Sequence, residues 1–143
     1  MNQVHKRRLL NVARALEEST NPEAFNMDVV THACGTPGCA FGHYIHRTDL
    51  QHTFVPLNNE YAYALRSKPS ILIAWSHGTT VRMEHFDISD PEDEELFSSL
   101  GCGGATTAKQ AAHYIRAFVN RREAFDHAIG MLSDLRNELE ETP

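Results

Sequence analysis

The chain has 143 residues with 41% hydrophobic and 22% charged side chains, and its formal net charge is −6. This composition is typical of one soluble globular domain over residues 1–143 and excludes a disordered chain. The acidic balance disfavours a general nucleic-acid-binding protein, because such affinity comes from neutralising phosphates. No apolar run approaches the roughly 20 residues that span a membrane, and no signal-peptide core follows the basic N-terminus. We therefore expect a cytoplasmic protein that does not enter a membrane.

The first predicted helix covers residues 4–18, because its apolar side chains recur at helical spacing. These side chains are Leu9, Val12, Ala13 and Leu16. A type II turn is predicted at Pro37-Gly38, where proline fixes φ and Gly38 supplies a positive φ. A short helix over 39–47 is expected to follow this turn.

The middle of the chain predicts a β-hairpin over residues 71–86. Residues 71–75 form a continuous apolar run, which is typical of a buried strand. Val81, Met83 and His85 alternate with polar residues, as in a half-buried strand. Two strands alone are marginally stable, so helices must cover one face of the pair. The predicted fold class is therefore α+β and mainly helical, with about five helices around one β-hairpin.

Two further helices are predicted towards the C-terminus. Asp90-Pro91 opens the first with favourable capping chemistry, and Thr106 or Thr107 caps an extended helix over residues 107–140. This helix carries a row of apolar residues spaced by seven, Phe118, Phe125, Leu132 and Leu139, with Leu135 beside them. Such a row packs either on its own domain or on a second copy, and we favour a homodimer contact because little chain remains to cover the far end of the helix.

Two charged segments have competing interpretations. The acidic run between Asp87 and Glu95 is either a solvated helix start or a surface for a basic partner. Arg121 and Arg122 belong either to a solvated helix face or to a phosphate contact. The solvated interpretation is favoured for both segments, because acidic residues suit a helix N-terminus and the two arginines lie within an amphipathic helix.

The densest chemistry of the sequence is a cluster of two cysteines and two histidines. His32, Cys34, Cys39 and His43 are of the types that bind Zn²⁺, although the spacing H-x-C-x4-C-x3-H differs from that of standard zinc fingers. Zinc is therefore one candidate cofactor. The alternatives are a structural role for two buried thiols, a disulfide, and an activated thiol with a histidine as its base. We favour the structural role, with Cys34 and Cys39 lying close together.

The segment from Phe25-Asn26-Met27 to the run Cys34-Gly35-Thr36-Pro37-Gly38-Cys39-Ala40-Phe41-Gly42 resembles a family of small uncharacterised phage and bacterial proteins. The pattern of that family is F-[DN]-M followed by C-G-T-x-x-C-x-x-G. Later landmarks that fit are Leu96-Phe97 and the threonine-capped helix that starts near Thr107. The resemblance implies a phage or prophage context and favours a structural role for the two cysteines, but it implies no established activity.

The function that these observations favour is that of a small cytoplasmic interaction or accessory protein without enzymatic activity, which binds a protein partner. One alternative is a metal- or thiol-dependent enzyme centred on Cys34, Cys39, His32 and His43. Another is a DNA-binding regulator, which the net charge disfavours.

Overall fold

The structure is a computed structural model that describes residues 1–30, 32, 37–47, 54–56, 62–65, 68–74 and 79–142, with the backbone alone between 54 and 81. Six α-helices and one short 3₁₀ helix (Pro22–Ala24) lie in these ranges. The α-helices are α1 (Gln3–Glu17), α2 (Ala40–Ile45), α3 (Thr79–Phe86), α4 (Asp90–Phe97), α5 (Gly101–Gly104) and α6 (Ala108–Glu141). Three strands also lie there, in the antiparallel order β1-β2-β3: β1 (Phe54–Pro56), β2 (Ala62–Leu65) and β3 (Lys68–Ala74).

The predicted hairpin over residues 71–86 is wrong, because its second half is helix α3. The residues that alternate as in a strand, Val81, Met83 and His85, also fit a helix. In a helix, Arg82 and Phe86 are four residues apart and therefore lie on one face. The side chains of Arg82 and Phe86 are both buried. The predicted α+β class was built on this hairpin and is wrong for the part of the protein that is described with side chains. The side chains that the structure describes belong to helices and their connections and to no strand, so this part of the protein is mainly helical.

The described core is built by α1 and the first half of α6, with α2, α3 and α4 packed beside them. Leu9, Val12 and Leu16 of α1 and Ile115 and Val119 of α6 are almost fully buried. An aromatic cluster continues this core. In it the Phe86 ring stacks on Phe97 at 5.3 Å and the Phe97 ring meets Phe41 edge-on at 6.0 Å.

Helices α1 and α6 run antiparallel, as their ion pairs show. Glu17, at the end of α1, pairs with Arg116 near the start of α6 at 2.6 Å, while Lys6 pairs with Glu123 further along at 2.5 Å. The start of α1 therefore lies beside residues 123–126 of α6. Helix α1, as the structure describes it, covers α6 only up to this point.

Gly38 does not have the positive φ that the predicted type II turn requires, and Thr36 lies outside the described residues. The absence of a side chain at Gly38 instead allows the backbone of Val29 to approach closely. A Cβ at Gly38 would lie 2.2 Å from the carbonyl oxygen of Val29, and one at Gly42 would lie 1.9 Å from that of Val30. Glycine at both positions lets α2 and the residues before it pack directly on the 29–30 backbone.

Candidate functional site

Cys39 is the one cysteine of the predicted cluster that the structure describes, and it has a structural contact. It is the N-cap of α2, where its Sγ accepts a hydrogen bond of 3.3 Å from the backbone N–H of Gly42. The residue is 2% exposed, and burial raises the pKa of its thiol. A protonated, buried thiol is a poor nucleophile, so Cys39 lacks the properties of an activated cysteine.

His43 uses both of its ring nitrogens within the fold. Its Nδ1 lies 2.9 Å from the carbonyl oxygen of Cys39 and must donate, because a carbonyl only accepts. Its Nε2 lies 3.2 Å from Oγ of Ser19, which then donates to it. Burial lowers the pKa of His43, so the imidazole is neutral at pH 7. His43 therefore fixes the end of α1 against α2.

The structure only partly locates the four residues predicted to bind zinc. Nε2 of His32 donates to the carbonyl oxygen of Ala24 at 2.6 Å, whereas Cys34 lies outside the described residues. Within the described ranges, no three His, Cys, Asp or Glu side chains form a group that could hold a metal ion. The four-ligand site and the proximity of Cys34 to Cys39 remain predictions.

Ion pairs within the chain engage much of the acidic run and both arginines of α6. Glu92 pairs with Arg122 at 2.7 Å, and Glu95 pairs with Arg121 at the same distance. Asp93 is buried and accepts two hydrogen bonds from Arg82 at 2.7 and 2.8 Å. These groups bind α3, α4 and α6 to one another, so neither segment offers a simple surface of one charge.

Sequence reasoning missed the buried pair of Arg82 and Asp93. The guanidinium carbon of Arg82 lies 5.6 Å from the centre of the Phe41 ring and 5.7 Å from that of Phe97. The arginine therefore fills the aromatic cluster with its charge matched by Asp93. The available signal in the sequence was an arginine among apolar positions. The strand interpretation placed this arginine on the solvent face.

The second half of α6 exposes a row of large apolar side chains, which we call the apolar stripe. Every residue from 127 to 142 is exposed, whereas Phe118, in the first half of α6, is buried. The helix projects about 22 Å beyond residue 126 at 1.5 Å per residue. The stripe comprises Phe125 (64% exposed), Ile129 (50%), Leu132 (63%), Leu135 (53%) and Leu139 (76%).

A cleft of about 410 Å³ lies at the base of the stripe, between α4 and α6. Phe118 and Phe125 supply its apolar wall, and Arg121 and Arg122 line it together with the carboxylates that pair with them. The apolar stripe thus begins in a cleft of the packed part of the molecule and continues along the free length of α6.

Comparisons of the chain with known protein families, with curated proteins and with solved structures find no match. None of the helices that the structure describes combines the length and the apolar character needed to cross a bilayer.

Proposed function

We propose that this protein is a non-enzymatic interaction protein that binds another protein through the apolar stripe of α6. The exposure of the stripe carries this proposal. Its five side chains each offer on the order of 100 Å² of surface. Together they form a patch of about 500 Å², which is comparable to the largest apolar patch of a typical monomer, and such patches are often functional.

The shape of the projection supports the proposal. Residues 127–141 of α6 are exposed all round, whereas most helical stability in proteins comes from packing of an apolar face. A partner that covers the stripe would stabilise this helix and remove its apolar surface from water. Binding thus provides the packing that α1 gives to the first half of α6.

The charges beside the stripe favour a protein over a nucleic acid as the partner. Residues 127–142 contain four carboxylates against one arginine, Arg136, and so repel phosphate. The carboxylates are Asp134, Glu138, Glu140 and Glu141. An accessory role in the cytoplasm is part of the proposal, and the resemblance at Cys34–Gly42 supports a phage or prophage context for it.

Site-specific photo-crosslinking tests this function. A photoreactive amino acid at position 132 lies on the stripe, while the same amino acid at Asn137 lies on the opposite side of the helix. We expect discrete protein adducts from position 132 alone, and we expect Leu135→Glu to abolish them. Adducts of equal yield from both positions, or none from either, would contradict the proposal.

A further inference from the structure

We infer that the partner of the apolar stripe is a second copy of this chain, which lies antiparallel along α6. This inference rests on the proposed function and names its partner. Four of the five residues of the stripe fit the repeat of a two-stranded coiled coil, in which apolar residues alternate at spacings of three and four. Phe125, Leu132 and Leu139 are seven apart, and Ala128 and Leu135 lie between them at the intermediate positions.

The phase of this repeat continues back to Phe118, which is buried within its own copy. The residues of this repeat are therefore buried within the chain up to Phe118 and exposed from Phe125 onwards. A helix that keeps a strict repeat of seven presents one continuous seam to a partner helix. A second α6 is a partner whose seam has the same length and the same spacing.

Charge favours the antiparallel arrangement. In a parallel pair, Glu138, Glu140 and Glu141 of both copies would lie side by side and repel one another. In an antiparallel pair centred on Leu132, the two acidic ends lie about 20 Å apart. In this register Glu138 and Glu141 lie opposite Asp126 and Glu123 of the other copy, whose charges are already paired with the N-terminal ammonium and with Lys6. Antiparallel helix dipoles also attract each other.

In the antiparallel register centred on Leu132, each residue of the apolar stripe faces another residue of the stripe. Leu132 faces Leu132 of the second copy, Leu135 faces Ile129, and Leu139 faces Phe125. Leu139, the most exposed residue of the stripe, thereby reaches the base of the partner helix, where the cleft with Phe118 and Phe125 lies. The cleft and the stripe then form one continuous interface.

The area available is sufficient for a specific dimer. Five side chains from each copy, at on the order of 100 Å² each, remove about 1,000 Å² from water when the two stripes meet. Specific interfaces begin at about this size, and Met131 (54% exposed) adds apolar surface beside the seam. The dimer is expected to be of moderate affinity and to dissociate on dilution.

Sedimentation velocity of the full chain over a range of micromolar concentrations tests for the second copy. We expect a concentration-dependent dimer for the wild type. For Leu132→Glu we expect the dissociation constant of the dimer to be at least about tenfold higher. Leu100→Glu is the matched control, because Leu100 is 82% exposed but lies outside α6, and it should leave the dimer unchanged. Circular dichroism verifies that both variants remain folded.

Cysteine cross-linking tests the orientation. A copy with Phe125→Cys mixed with a copy with Leu139→Cys should give a mixed disulfide, whereas Leu139→Cys alone should give none above the wild-type background. A rapid disulfide between two Leu139→Cys copies would overturn the antiparallel arrangement. A monomeric wild type that forms adducts with a different protein at position 132 would overturn the inference and leave the proposed function intact. A monomer without adducts would overturn both.

Discussion

The two halves of α6 have similar apolar patterns but opposite environments. In residues 108–119 the large apolar side chains are buried, with Ile115 at 0% and Phe118 at 4% exposure. In residues 125–139 they are exposed, with Leu132 at 63%. The difference is the reach of α1, whose first residues lie beside Glu123 and Asp126. Helical periodicity therefore shows that a face needs covering, but not whether the same chain covers it.

The loss of an ion pair should give the largest difference in stability between the packed part of the protein and the projecting residues 127–141 of α6. Asp93→Ala leaves the Arg82 guanidinium buried without its partner, so we expect a loss of about 3–5 kcal/mol of stability. Arg136 and Glu140 form an exposed pair on the projection, and Glu140→Ala should cost less than about 0.5 kcal/mol. Urea denaturation measures both, and similar losses would remove the contrast.

Truncation of apolar side chains within α6 tests the comparison directly. Ile115→Ala leaves a cavity in the core and should destabilise the chain by about 2–5 kcal/mol. Leu135→Ala on the stripe should change the stability of dilute protein by less than about 0.5 kcal/mol. A large loss for Leu135→Ala under dilute conditions would mean that the stripe packs against its own chain.

Glycine substitutions should have opposite signs in the two regions. A Cβ at Gly42 would lie 1.9 Å from the Val30 oxygen, so Gly42→Ala should destabilise the protein by about 1–3 kcal/mol. A Cβ at Gly130 meets nothing within 4 Å, and alanine is the better helix former. Gly130→Ala should therefore stabilise the helix by up to about 1 kcal/mol. The melting temperature and the helical circular dichroism signal report both effects.

Acid should weaken the packed part through two histidines, the buried His43 and the half-buried His85. Burial lowers the pKa of His85 from its usual 6.5 to about 4, and burial also lowers that of His43. The unfolded chain therefore takes up protons first as the pH falls below 6.5, and stability declines from there towards pH 4. Denaturation at a series of pH values should show this decline, and His85→Gln should make it shallower. A flat profile would contradict the neutral, buried state.

Much of the helical arrangement could be predicted from the sequence, because long periodic segments leave little choice. Residues 4–18 match α1, and Thr107 caps α6 as one of the two expected threonines. The start of α4 is capped by Ser89, one residue before the predicted Asp90. Such short-range signals act within one turn of helix and are visible in the sequence.

The errors arose where tertiary contacts decide the local structure. Five residues of alternation at 81–85 fit a strand, but the pairing of Arg82 with Asp93 and the burial of Phe86 favour the helix. Gly38 is required by the approach of the Val29 backbone, which no local turn pattern reveals. In the candidate site, the burial of Cys39 and the contact of His43 with Ser19 depend on how α1 packs on α2.

Amide hydrogen exchange at several protein concentrations tests most directly whether a second copy covers the second half of α6. We expect strong protection of residues 108–119 at every concentration, because the core covers them. Protection of residues 127–141 should be weak in dilute protein and should rise with concentration as the two stripes pair. Protection of 127–141 that is weak at all concentrations, or as strong as that of 108–119 at the lowest one, would contradict the account.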